Sequence, residues 1–121
     1  MKKIILVVED DDDFFLSLVA FIKNEDSEIM RASTLEEGKK IFFENQEKIN
    51  LIIMDACVPG QEPNSMPLIE EIIKSGFSKH IVGLSSSFNY LFKLRDAGAT
   101  NIISKSDLMV IRNKIFELLE L

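Results

Sequence analysis

Apolar residues recur along this chain at two alternating spacings. Five short apolar runs rich in β-branched residues, at positions 4–8, 28–32, 51–54, 81–84 and 101–103, are each of strand length. Between them apolar positions return every three or four residues: Phe15, Leu18 and Ile22 after the first run, and Leu35, Gly38, Ile41 and Phe42 after the second. That spacing puts one face of a helix against a core. The last segment, with Leu108, Ile111, Ile115 and Leu118, repeats the pattern. The order is (βα) five times over. Such alternation predicts an α/β fold, doubly wound, with a parallel sheet between two helical layers. The nearly continuous apolar character of the first, third and fourth runs fits strands covered on both faces.

Punctuation agrees with the pattern. Ser33 with Glu36, and Thr34 with Glu37, each have capping-box spacing, Pro67 suits a first helical turn, and Gly98 follows Ala97 as a helix-ending glycine. Ser87 is expected to cap a fourth helix that starts late and is short, and Ser106 or Asp107 to cap the fifth. His80 is expected in a loop on the far side of the sheet.

Composition narrows the class. The 121 residues carry 14 Lys and Arg against 20 Asp and Glu, a net charge of −6, and 46% are hydrophobic. A chain of this length buries roughly two thirds of its unfolded surface and folds as one domain, residues 1–121, without disulfide or metal. Its single cysteine, Cys57, allows no intrachain disulfide and suits a reducing compartment. An acidic chain without a basic run is a poor binder of nucleic acid or anionic membrane. The apolar stretch near the amino terminus stops after five residues at Glu9, short of the roughly 7–15 of a secretory core and far below the ~18 of a membrane span. A soluble, cytoplasmic protein is expected.

In an open parallel sheet, ligands bind beyond the carboxyl ends of the strands. The first run ends in Glu9-Asp10, the third in Asp55, the fourth in Ser85-Ser86-Ser87 and the fifth in Ser104-Lys105. If the first and third strands are neighbours, three carboxylates converge with a hydroxyl and an ammonium. Crowded carboxylates raise one another's pKa unless a cation neutralises them. Hard oxygen donors without histidine or a cysteine cluster point to Mg²⁺, which keeps several waters and leaves room for phosphoryl oxygens. Asp12 and Asp13 read more simply as acids favouring the first turn of a helix.

These residues also carry a resemblance. The stretches Ile5-Leu6-Val7-Val8-Glu9-Asp10-Asp11, Leu51-Ile52-Ile53-Met54-Asp55-Ala56-Cys57-Val58-Pro59-Gly60, Ile81-Val82-Gly83-Leu84-Ser85-Ser86 and Ala97-Gly98-Ala99 with Ser104-Lys105 together resemble the receiver domains of two-component response regulators, over the whole chain. The resemblance implies the flavodoxin-like strand order 2-1-3-4-5. It implies that Asp55 takes a phosphoryl group from a phosphohistidine on a sensor histidine kinase or histidine phosphotransfer protein, signalling to a downstream protein or output domain. It also implies that Asp10 binds Mg²⁺ directly, Glu9 through water, Asp55 by one oxygen and Cys57 by its backbone carbonyl, with Ser85 and Lys105 on the phosphoryl oxygens.

The chain departs from that pattern in four places. Ile102 stands where the family usually has an aromatic residue and Ser106 where it has proline, the loop after Pro59 looks longer, and the stretch 85–98 looks about two residues short. With serine after Lys105, a cis bond would cost about 2.5–4 kcal/mol, so the Lys105–Ser106 bond is expected to be trans. Phe88, Tyr90 and Phe92 belong either to the core or to an exposed docking patch. Two other readings stand beside a phosphoacceptor: a pseudo-receiver that signals by protein contact alone, and a small flavodoxin-like hydrolase. Against the hydrolase, no phosphate-cradling Gly/Ser/Thr loop follows the first strand, and no aspartate stands two residues after Asp55.

Overall fold

The computed structural model describes residues 1–121. Strands and helices alternate strictly: β1 (Lys3–Val8), α1 (Asp12–Ile22), β2 (Ser27–Ala32), α2 (Leu35–Glu44), β3 (Ile49–Asp55), α3 (Met66–Lys74), β4 (His80–Ser85), α4 (Phe88–Ala97), β5 (Asn101–Ser104) and α5 (Leu108–Leu119). All five strands lie parallel in one sheet of order β2-β1-β3-β4-β5, the flavodoxin-like arrangement the resemblance implies.

Residue parity divides the core. Leu6, Val8, Ile52 and Met54 point to one face, where Phe42 of α2, Leu68, Ile69 and Ile72 of α3, and Leu91 and Leu94 of α4 cover them. Ile5, Val7, Leu51 and Ile53 point to the other, against Leu18 and Ile22 of α1 and Ile111, Ile115 and Leu119 of α5. Successive side chains on a strand face opposite ways, so two helical layers demand apolar residues at both parities. This explains the unbroken apolar runs of β1 and β3. Because α1 leaves β1 on one face and α3 leaves β3 on the other, a crevice opens at the carboxyl ends of these two neighbours.

Where α4 crosses β4 the contact is backbone-close: a Cβ on Gly83 would stand 2.9 Å from Leu94 Cδ1. Gly98 ends α4 at φ +126°, with the Ile73 side chain in the space a Cβ would take. Only glycine fits there on both counts.

Several boundaries differ from the sequence pattern. β3 starts at Ile49, earlier than its apolar run, because the Asn50 side chain accepts a bond from Ile4 N (2.8 Å) where the β1–β3 register shifts. β2 takes in Ser27, opposite Lys3. His80 does not lie in a loop: it is the first residue of β4, paired with Leu51, although that places it at the amino end of the sheet, away from the crevice. Thr34, not Ser33, caps α2, and Glu37 Oε1 reaches back to Ser33 N (2.8 Å) and Oγ (2.9 Å). In α5 it is Leu119 rather than Leu118 that is fully buried with Ile111 and Ile115. α4 does begin beyond the serines, on the Ser87 cap, but its ten residues equal α2 in length. Asp107 caps α5, and the Lys105–Ser106 bond is trans, the one cis bond being Val58–Pro59.

Candidate functional site

The crevice gathers side chains from four strand ends. β1 delivers Glu9 and Asp10, β3 ends on Asp55, β4 on Ser85, and Lys105 follows β5. One carboxylate oxygen from each of Glu9, Asp10 and Asp55 lies within 4.8 Å of the others. Glu9 is 2% exposed and Asp55 7%, whereas Asp10 sits nearer solvent. Buried acids this close need a counter-charge, and Lys105 supplies it. Its Nζ stands 2.7 Å from Glu9 Oε1 and 3.3 Å from Asp55 Oδ1, over the Phe14 ring at 4.4 Å from the centroid. Glu9 Oε1 is buried and has the Lys105 ammonium as its close charge partner.

The electrostatics follow from this packing. Burial, then the Glu9 charge, push the Asp55 carboxyl up to about 7 against the pull of Lys105. Burial alone would lower the Lys105 ammonium, but the Glu9 and Asp55 carboxylates outweigh it and raise the group. Burial, with the charge of Asp55 behind it, also pushes the Cys57 thiol up, which leaves it a poor nucleophile or metal ligand at neutral pH.

The loop after β3 is tied by one residue that the sequence pattern does not reveal. Asn64 accepts from Val58 N (2.8 Å), donates through Nδ2 to Val58 O (3.0 Å), and donates its own N–H to Ala56 O (2.9 Å). These bonds occupy the carbonyls on either side of Cys57 and leave the Cys57 carbonyl without a partner. An Asn in a polar loop is too common to stand out, and its partners emerge only once the loop folds. Phe14 is equally silent in the sequence; it reaches the site through its contact with the distant Lys105.

An open cleft of about 420 Å³ lies over the crevice, with Asp55, Cys57, Ser85 and Lys105 on its walls and Tyr90 at its rim. Ser85 Oγ accepts a bond from Ser87 N (3.1 Å) and Ser87 Oγ caps Tyr90 N (3.3 Å), which ties the hydroxyl to the start of α4. Phe88 and Phe92 are exposed at 70% and 46%, so these two rings belong to the surface. Tyr90 packs partly against the core.

The oxygen donors fit a hard divalent cation. Three converging carboxylates, with the unpartnered Cys57 carbonyl on the loop after β3, are the oxygen donors Mg²⁺ takes, and no imidazole or thiolate competes.

Neither a family model nor a curated protein matches the chain. Solved structures do. A response regulator receiver domain protein (CheY-like) from Methanospirillum hungatei superposes with a TM-score of 0.79 at 26% identity, over 99% of this chain and 95% of that one. A two-component response regulator from Clostridium difficile gives 0.82 at 20% identity, over 98% and 97%. A chain of the CheX–CheY–BeF₃–Mg²⁺ complex from Borrelia burgdorferi gives 0.80 at 16% identity, over 97% and 89%. The fold is that of response-regulator receiver domains.

Proposed function

With the receiver fold as premise, we propose that residues 1–121 form one phosphoacceptor domain in which Asp55 takes a phosphoryl group from a phosphohistidine of a histidine kinase or phosphotransfer protein. The observation that carries this reading is the placement of Asp55: a buried carboxylate at the wall of an open cleft, paired with a Lys105 ammonium that also contacts Glu9, with the Ser85 hydroxyl on the same wall.

Each residue has a task in the transfer. An Asp55 carboxylate oxygen forms the new O–P bond as the N–P bond of the donor breaks, and the imidazole leaves and takes up a proton. Lys105 favours the ionised form of Asp55 and offsets charge on the phosphoryl oxygens, while the Ser85 hydroxyl donates to one of them. Glu9, Asp10, Asp55 and the Cys57 carbonyl would hold Mg²⁺. When bound, that ion supplies positive charge to the crowded carboxylates and to the equatorial oxygens of the transferring group. The product is an acyl phosphate, so the domain is a switch whose signal lasts until hydrolysis.

Outward signalling is assigned to the side of α4 and α5. Phe88 and Phe92 on α4, with Met109 and Val110 on α5, are large apolar side chains left in solvent, the kind of residues a downstream protein covers. No helix is long and apolar enough to cross a membrane, in keeping with a cytoplasmic partner.

Incubation with acetyl phosphate and Mg²⁺ tests the reading and separates it from its rivals. The expected result is one phosphoryl group on Asp55, absent in Asp55→Asn and absent in EDTA. A pseudo-receiver would take up no label, and a hydrolase would turn over the donor without keeping it. Undiminished labelling of Asp55→Asn at the same peptide would overturn the assignment.

A further inference from the structure

Arg31 is the penultimate residue of β2, on the far side of β1 from Asp55, and nothing in the phosphoryl chemistry above employs it. Yet its side chain gathers four contacts around the β1–α1 turn. The guanidinium donates from Nε (3.3 Å) and from an Nη (3.1 Å) to the Glu9 carbonyl. The same Nη pairs with Asp12 Oδ1 at 2.7 Å, and the plane lies over the Phe15 ring, 4.3 Å from its centroid. The fork therefore joins Glu9, the residue after β1, to the first turn of α1, across Asp10 and Asp11.

We propose that Arg31 is a positioning residue for the cation site, fixing the Glu9-Asp10 backbone so that both carboxylates face Asp55. The inference rests on the receiver reading for the identity of the cation. Beyond Asp11, which caps α1 by accepting from Phe14 N (3.1 Å) and Phe15 N (2.9 Å), few bonds hold the turn. Glu9 N bonds Ala32 O (3.0 Å) and Asp11 N bonds Glu9 Oε2 (3.1 Å), whereas no group but Arg31 bonds the Glu9 carbonyl. The turn also carries five consecutive acids, Glu9 to Asp13, whose mutual repulsion favours spreading it apart. A guanidinium meets this in two ways: its charge opposes the repulsion, and its planar fork spans a carbonyl and a carboxylate at once, which a lysine ammonium does not reproduce. Groups that orient metal ligands in this way typically change metal affinity 10–100-fold when removed.

Titration of the intact chain with MgCl₂ alone, followed by calorimetry and by backbone amide shifts, tests the role. Arg31→Gln is expected to weaken Mg²⁺ binding by about tenfold, and Arg31→Lys to recover only part of that loss because the fork is gone. Acetyl phosphate labelling in both variants should return to the parental rate at saturating Mg²⁺, since Arg31 does not reach the reacting atoms. Unchanged Mg²⁺ affinity in Arg31→Gln overturns the inference. Full affinity in Arg31→Lys overturns the geometric claim, and it decides the matter if the glutamine variant does not fold. Failure of the parent chain to bind Mg²⁺ would instead strike the receiver reading beneath it.

Discussion

Asp55 is held in the folded chain at a cost in stability that its proposed role as phosphoacceptor explains. Its folded pKa of about 7, against an ordinary 3.8, arises from burial first and from the Glu9 charge second. Below the ordinary value the group is protonated in both states and costs nothing. Between the two values the unfolded chain releases the proton while the folded chain retains it, so metal-free stability falls as pH rises and levels off above about 7. Asp55→Asn removes this titration. In EDTA the variant is expected to match the parent near the acid end of the window and to exceed it above the upper end, by on the order of 2 kcal/mol once solvent screening and the coupling to Glu9 are discounted. Denaturant unfolding at about pH 4.5 and about pH 8 measures the difference, and parallel pH curves would show that Asp55 carries no such penalty. The sequence made Glu9, Asp10, Asp55, Ser85 and Lys105 legible because each follows directly on an apolar strand, where a polar group has to be accounted for. Asn64, Phe14 and Arg31 were not legible, because their partners lie in other segments or in a loop whose path no local pattern encodes.

At the scale of elements, the coupling between site and surface runs through the start of α4. Ser85 ends β4, its Oγ accepts from Ser87 N, and Ser87 caps the helix that carries the exposed Phe88 and Phe92. A phosphoryl oxygen that takes the Ser85 hydroxyl as donor alters the orientation on which the Ser87 bond depends. α4 itself is seated against Gly83 with no space to move inward, so the change has to appear in the connecting residues rather than as helix translation. Addition of beryllofluoride with Mg²⁺ is therefore expected to shift the amides of residues 85–90 most, and Ile102, lacking a ring, to respond little. Unchanged amides there would sink the switch. Element order was readable because the spacing of apolar positions changes between strand and helix. The details left open or misjudged have physical causes of the same kind: His80 joins β4 because the β3 ladder extends to Leu51, and of the two capping boxes offered Thr34 takes the cap while Glu37 binds the Ser33 amide. Propensity sees neither competition.

Over the whole molecule, the chain concentrates negative charge at the end where it is least easily borne. Of a net −6, the carboxyl end of the sheet holds Glu9 to Asp13 and Asp55, while Lys2, Lys3 and Lys48 line an open hollow at the amino end. Parity of apolar residues predicted two helical layers, but which strands adjoin came only from the resemblance, since periodicity carries no information about neighbours; β1 beside β3 is what brings the acids together. The metal-free protein meets that crowding with Lys105 in the crevice and Arg31 at the turn. A divalent ion that binds the folded chain and not the unfolded one adds RT ln(1 + [L]/Kd), about 2.7 kcal/mol at a hundredfold excess over Kd. For a domain of this size that raises Tm by roughly 10 °C. The expected result is such a rise on adding MgCl₂ to the parent, and little or none with Asp10→Ala, in which one of the three converging carboxylates is missing. In metal-free buffer the same variant should be no less stable than the parent, because removing Asp10 relieves repulsion and leaves the Lys105 pairs with Glu9 and Asp55 in place. Thermal unfolding with and without Mg²⁺ separates the two effects. An Asp10→Ala variant that unfolds earlier in EDTA would mark the acid as structural, and an equal Mg²⁺ shift in both proteins would place the ion elsewhere.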